Sequence, residues 1–221
     1  MVVVHVEGGA QALRNALIAK NEGADGIFLI NHSIPYSSLI ECYLMIKKKL
    51  PDFWIGLNCL DLGGLAVKFI PKDTEGLWVD NAGISENNSS LEGAFSVGEA
   101  KKFDKLRQTS GWKGIYFGGV AFKYQNPISN VRGAAKIATS FVDVVTTSGE
   151  GTGMEASISK IREMRMGVGD FPLALASGVT PKNVHIYKPY VDCFLVATGI
   201  SDSHTELNRS KVRALVKALK K

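Results

Sequence analysis

The sequence predicts a (β/α)8 TIM barrel, one α/β domain over residues 1–221, on three observations. Short β-rich runs alternate with amphipathic segments along the whole chain, eight of each. Most of those runs are continuously apolar, as strands buried on both faces should be. No linker and no low-complexity stretch divides the chain. Eight βα units in ~220 residues suit a compact barrel, a fold that runs from about 200 residues upward. A doubly wound open sheet fits less well, because Glu7, Gly8 and Gly9 follow the first strand without the G-x-G-x-x-G turn of a nucleotide site.

Taken in order, Val2 to Val6 is a valine-rich run with neither a basic lead-in nor a cleavage site, and so reads as a strand rather than a signal peptide. Helical spacing follows over Ala10 to Glu22. Gly26 to Asn31 and Trp54 to Asn58 are the next strands, each followed by a helical pattern, Tyr36 to Leu50 and Gly63 to Ile70. Leu77 to Asp80 is the fourth strand. The polar, Gly/Ser/Asn-rich stretch Ala82 to Val97 after it is long for a connection and reads as a loop at the barrel mouth, either a lid or a plain loop. Gly98 to Thr109 is helical. The remaining units pair Gly114 to Phe117 with Ser129 to Phe141, Val142 to Thr147 with Glu155 to Met166, Leu173 to Ser177 with Pro181 to Tyr187, and Cys193 to Thr198 with Thr205 to Leu219. Met164 and Met166, with Ile158 and Ile161, read as helix packing.

Composition narrows the class. With 26 Lys plus Arg against 21 Asp plus Glu, the chain carries a formal charge of +5, and 45% of its residues are hydrophobic. Part of the excess is local. Arg209, Lys211, Arg213, Lys217, Lys220 and Lys221 crowd the last helix opposite Val212, Leu215, Val216 and Leu219, which predicts a solvated helix face. No aromatic and basic stripe accompanies the charge, so a nucleic-acid partner is not expected. No apolar run approaches the ~20 residues that span a bilayer, so no membrane partner is expected either. Cys42, Cys59 and Cys193 are odd in number, far apart and set in apolar surroundings, which predicts free thiols and a cytoplasmic protein. Trp112, Tyr187 and Tyr190 are candidates for a subunit contact in a homo-oligomer, should they prove exposed.

In barrels of this kind the active site lies at the C-terminal ends of the strands. The sharpest pattern there is a pair: Ala176-Ser177-Gly178-Val179-Thr180-Pro181-Lys182-Asn183 and Ala197-Thr198-Gly199-Ile200-Ser201. Glycines let backbone N–H groups approach an anion and hydroxyls add donors, so the pair reads as a phosphate cup. Thr180 before Pro181 also suits a helix N-cap, which accounts for half of the motif by itself. On this reading Gly178→Asp would abolish ligand binding in a protein that still folds. The run Ser148-Gly149-Glu150-Gly151-Thr152-Gly153 could wrap a ligand beside the cup. For proton transfer the candidates are Asp80 and Lys123, expected on neighbouring parts of the rim and close enough to pair. Lys123 could instead form a Schiff base. A divalent metal held by His5, Glu7 and Asp80 has weak support, and His5 reads equally well as a core histidine. His185 and His204 read as surface residues.

The chain resembles the BtpA/SgcQ family of TIM-barrel-like proteins. The resemblance rests on Gly56-Leu57-Asn58-Cys59-Leu60, Val145-Thr146-Thr147-Ser148-Gly149-Glu150-Gly151-Thr152-Gly153, Ser177-Gly178-Val179-Thr180-Pro181-Lys182-Asn183-Val184 and Val196-Ala197-Thr198-Gly199. It implies a phosphate-binding barrel, with nucleosidase or phosphoribosyltransferase-like activities assigned to some members and a part in photosystem I biogenesis to one branch. It also implies ligand-site roles for Asn58, Thr152, Gly153, Gly178, Asn183 and Gly199. The family's Pro-Leu-Pro-Gly type loop is replaced here by Val6-Glu7-Gly8-Gly9, so no role is carried to the first loop. Two functions follow: an enzyme acting on a phosphorylated sugar or nucleoside-type metabolite, by nucleosidase, phosphoribosyl-transfer or isomerase/lyase chemistry, or a non-catalytic binding or assembly protein that retains an anion site.

Overall fold

The computed structural model describes residues 1–86 and 95–220. The valine-rich start forms β1 (Val2–Val6), whose Val2, Val4 and Val6 face the helices while Val3 and His5 face the barrel interior. The strands β2 (Gly26–Asn31), β3 (Trp54–Asn58) and β4 (Gly76–Val79) follow in parallel. A short antiparallel pair, β5 (Ser85–Glu86) and β6 (Phe95–Ser96), interrupts the series. β7 (Ile115–Gly119), β8 (Val144–Ser148), β9 (Leu173–Ala176) and β10 (Cys193–Leu195) complete it. The sheet order is β1-β2-β3-β4-β7-β8-β9-β10. A parallel bridge from Val2 to Val196, with the Val3 N–H donating to the Val196 carbonyl at 2.8 Å, joins the last strand to the first. The predicted barrel is thus observed.

The helices are α1 (Gly9–Asn21), α2 (Tyr36–Lys49), α3 (Gly98–Ser110), α4 (Val131–Ala138), α5 (Ile158–Val168), α6 (Val184–Tyr187) and α7 (Arg209–Lys220). Side-chain caps start two of them later than the apolar spacing suggests. Asn130 Oδ1 accepts from the Gly133 N–H before α4, and Ser157 Oγ from the Lys160 N–H before α5. In place of the helix expected over Gly63 to Ile70, the glycine pair allows only a 3-10 segment, Gly63–Lys68. Strand β9 stops one residue early because Ser177 adopts φ +65°, outside the extended region.

Two layers of core position the mouth. Between strands and helices lies an aliphatic shell. Inside the barrel, Phe28 packs edge-on to Trp54, Trp78 and Phe117 with ring centroids 5.1–5.7 Å apart. Glycine makes room for this plug: a Cβ at Gly56 would lie 2.3 Å from Phe28 Cε1, and one at Gly76 2.3 Å from Trp54 Cη2. The plug ends at Trp78, leaving the C-terminal mouth open above it.

Several surface expectations are corrected. Trp112 and Tyr187 are buried, each donating to a backbone carbonyl, Thr74 and Ala156 respectively, and Tyr190 is half-buried beside Arg162. Trp112 and Tyr187 therefore belong to the core rather than to a subunit contact. Met164 is core, but Met166 is exposed. Of the expected loop at Ala82 to Val97, residues 87–94 lie outside the described residues. Its base is fixed by Glu86, whose carboxylate accepts from the Ser129 N–H, the Ser129 hydroxyl and the Asn130 N–H at 2.6–3.1 Å. The three cysteines are free thiols. Among the described residues no helix is long and apolar enough to cross a membrane.

Candidate active site at the barrel mouth

The open end holds a cavity of about 210 Å³ with an apolar floor of Val3, Ile30, Trp78 and Leu195. Asp80 reaches it from the end of β4. The ends of β4 and β7 approach so closely that a Cβ on Gly119 would sit 1.9 Å from the Asp80 carbonyl, so only glycine fits there. Gln125 Nε2 donates to that carbonyl at 2.7 Å and fixes the approach. Lys123 reaches the cavity from a turn in which Ala121 and Tyr124 have φ +46° and +63°. This strained turn is held from below, where the Lys160 ammonium donates to the carbonyls of Ala121 and Ser148. Burial pulls the Lys160 pKa down to about 8. No sequence signal marks Lys160, because its role depends on two carbonyls far apart in sequence, one in the turn after β7 and one at the end of β8.

Asp80 and Lys123 share the cavity without pairing. The Asp80 carboxylate accepts from Asn58 Nδ2 at 2.9 Å, and the Lys123 ammonium donates to Thr152 Oγ1 at 3.3 Å. The ion pair expected from sequence is therefore absent among the described residues, because Thr152 draws the lysine to the opposite wall. Burial raises the Asp80 pKa, against the pull of the Asn58 hydrogen bond and the Lys123 charge. A carboxylate so placed has the character of a general base: less stable as an anion than in water, yet oriented by a buried amide.

The remaining wall is the predicted cup. Thr152, Gly153, Ser177, Gly178, Val179, Thr198 and Gly199 all line the cavity. Among the described residues, no acceptor within the chain takes up the N–H groups of Gly178, Val179, Thr198 or Gly199. Their packing leaves little freedom. A Cβ at Gly178 would lie 2.4 Å from the Met154 carbonyl oxygen, and one at Gly199 2.1 Å from that of Val179.

Three residues expected to touch a ligand hold the site instead. Asn58 is buried behind Asp80. Asn183, also buried, accepts from the Thr180 N–H at 2.7 Å and donates to the Gly178 carbonyl at 2.8 Å, which ties off the cup loop. Gly151 is buried in the turn, its carbonyl accepting from the Met154 N–H at 3.2 Å. Gly178→Asp is not the clean test that the sequence suggests, since any side chain there meets backbone.

Sequence reasoning leaves out one feature of the mouth. His5, His32 and His204 gather on one side of the cavity, with ring centroids 4.1–5.2 Å apart. Burial, helped by the other two imidazoles and Lys123, pushes the His5 pKa down to about 3, and that of His32 is also lowered, chiefly by burial. Glu7, by contrast, is exposed beyond the end of β1, so the His5, Glu7 and Asp80 metal set is not assembled. His185 is exposed on α6, as expected.

No family model and no curated protein matches the chain. Solved structures do. Phosphoribosyl anthranilate isomerase from Thermus thermophilus aligns with a TM-score of 0.66 at 14% identity, covering 99% of this chain and 96% of that one. The (S)-3-O-geranylgeranylglyceryl phosphate synthase from Thermoplasma acidophilum, in complex with its substrate sn-glycerol-1-phosphate, aligns at 0.68 and 17% identity, covering 100% and 92%. The fold is that of a TIM barrel. A structure described as native KDPGal aligns over 99% of this chain and 93% of its own at 0.69 and 12% identity, again a likeness of fold.

Proposed function

We propose that this barrel is an enzyme that binds a small phosphorylated metabolite of sugar or nucleoside type, with the phosphate in the cup and Asp80 and Lys123 moving protons. The observation that carries the reading is the set of unengaged N–H groups at Gly178, Val179, Thr198 and Gly199 on the wall of one cavity. Gly178, Val179 and Gly199 are buried or half-buried, where backbone donors are ordinarily satisfied, whereas Thr198 is exposed. An anion with several acceptor oxygens satisfies them together, and the Ser177 and Thr198 hydroxyls extend the donor set. Lys123, which lines the same cavity, adds a positive charge.

The names of two structural neighbours, one a phosphoribosyl anthranilate isomerase and one solved with sn-glycerol-1-phosphate, support a phosphorylated substrate. The kinship to the BtpA/SgcQ family belongs to this proposal and rests on the motifs at residues 56–60, 145–153, 177–184 and 196–199. A Lys123 ammonium that is not hydrogen-bonded to Asp80 suits proton donation at a sugar hydroxyl or a glycosidic nitrogen.

A thermal-shift panel tests the reading, since a ligand of the folded state raises the midpoint by mass action. It compares phosphate, sulfate, sugar phosphates, nucleotides and phosphoribosyl compounds. One phosphorylated class is expected to raise the midpoint selectively. Thr198 is exposed, so Thr198→Asp should fold and weaken that ligand by more than about tenfold, through like-charge repulsion and a lost donor. No shift with any compound would overturn the proposal and favour a non-catalytic assembly protein.

A further inference from the structure

The three histidines at the mouth are the strongest feature that the proposed function does not use. We infer that His5, His32 and His204 form a binding site for one divalent transition-metal ion. One ligand nitrogen from each ring lies within 4.8 Å of the others. Around a tetrahedral ion with metal–nitrogen distances of about 2.05 Å, ligand nitrogens stand about 3.4 Å apart. The trio is therefore within about 1.4 Å of coordinating distance. His32 and His204 are exposed and can swing inward by rotation about their side-chain bonds, while His5 is the fixed member on β1.

The backbone carrying each ring is already anchored. Gln11 Nε2 donates to the His5 carbonyl at 3.1 Å and to the Thr205 carbonyl at 2.5 Å, so one buried amide joins the strand of His5 to the loop of His204. Buried Asn15 reinforces that loop, donating to the Thr205 carbonyl and accepting from the Leu207 N–H. Beside His32, Asn31 donates to the Ile34 carbonyl and to Asp61 and accepts from the Leu60 N–H. Three anchored backbones with two adjustable rings are what a preorganised ligand set requires.

The donors choose the metal class. Three imidazoles without a carboxylate suit zinc, cobalt, nickel, copper or iron and suit magnesium or calcium poorly. His5 Nδ1 is buried with no hydrogen-bond partner, so nothing in the protein fixes the tautomer and either nitrogen can present a lone pair. Among the described residues three protein ligands gather, and a fourth coordination position would open to the same cavity as the cup.

The test is a Co2+ titration of chelator-stripped protein, followed by visible absorption, with Zn2+ displacement measured by calorimetry. One equivalent per chain is expected, with the ligand-field bands of a nitrogen-bound low-coordinate ion. His32→Ala and His204→Ala should each weaken binding at least about tenfold. Both alter exposed side chains, and unchanged melting curves will show that they fold. His185→Ala, on exposed α6, should bind as the unaltered chain does. Absence of a Co2+ band in folded protein, or a band that persists in both variants, would overturn the assignment. The titration needs no phosphorylated ligand, so its outcome is separate from that of the phosphate panel.

Discussion

Asp80→Asn is expected to lower turnover of the phosphorylated substrate by about 10²–10⁴-fold, the range for removal of a positioned acid or base. The variant keeps the shape of the carboxylate and can still hydrogen-bond to Asn58, so the fold and phosphate binding should survive; a loss of kcat with little change in KM is the signature. The pH profile adds a second check. Asp80 acts as a base only when ionised, and burial raises its pKa, so the acid limb of kcat should lie above the ordinary carboxylate range. The Asn58 hydrogen bond favours the ionised form and lowers that pKa. Asn58→Leu removes the donor, so the pKa rises further and the acid limb should move to higher pH. Unchanged kcat in Asp80→Asn would show that the proton is handled elsewhere.

Gly178→Ala is expected to destabilise the protein by about 2–5 kcal/mol, as the sum of left-handed backbone strain of about 1–2 and overpacking of about 1–3 kcal/mol. Both terms arise at one atom. Gly178 has φ +67°, and its added Cβ would lie 2.4 Å from the Met154 carbonyl oxygen and 2.5 Å from the Glu155 backbone. A loss of this size is a large part of a typical domain stability of about 5–15 kcal/mol. Gly153 separates the two terms. It has φ +75°, but its Cβ would meet only Thr198 Cγ2 at 3.6 Å, so Gly153→Ala should cost about 1–2 kcal/mol, the backbone term alone. Denaturant unfolding of both variants checks the difference; equal losses would mean that the Met154 turn yields to the added methyl.

The barrel was legible because its strands are buried on both faces. Gly26–Asn31 and Val144–Ser148 carry no exposed residue, so their composition reports strand without a turn of argument. That Ser177, Gly178, Thr198 and Gly199 meet at the mouth was legible because all four follow the last two strands of a barrel that closes. Strand ends were less so. The positive φ of Ser177, Ala121 and Tyr124 reflects how neighbouring loops pack, which no local composition encodes. Asn58 and Asn183 take their ligand roles from the family resemblance, and motif matching does not separate a side chain that touches a ligand from one that holds the site; here they bond to the Asp80 carboxylate and the Gly178 carbonyl. The histidine trio was hidden for a topological reason. His5 and His204 come together only because the last strand closes on the first, and Gln11 then ties their segments. Trp112 and Tyr187 misled in the other direction, since a large aromatic suits a core and an interface alike.

The account's central claim is that backbone amides of the cup hold a phosphate, and amide chemical-shift mapping of 15N-labelled protein titrated with inorganic phosphate and a sugar phosphate tests it most directly. Saturable shifts centred on Gly178, Val179, Thr198 and Gly199, larger for the sugar phosphate, are the predicted result. Shifts confined to other basic surfaces, such as the α7 face, with those four amides unmoved at saturating ligand, would contradict it.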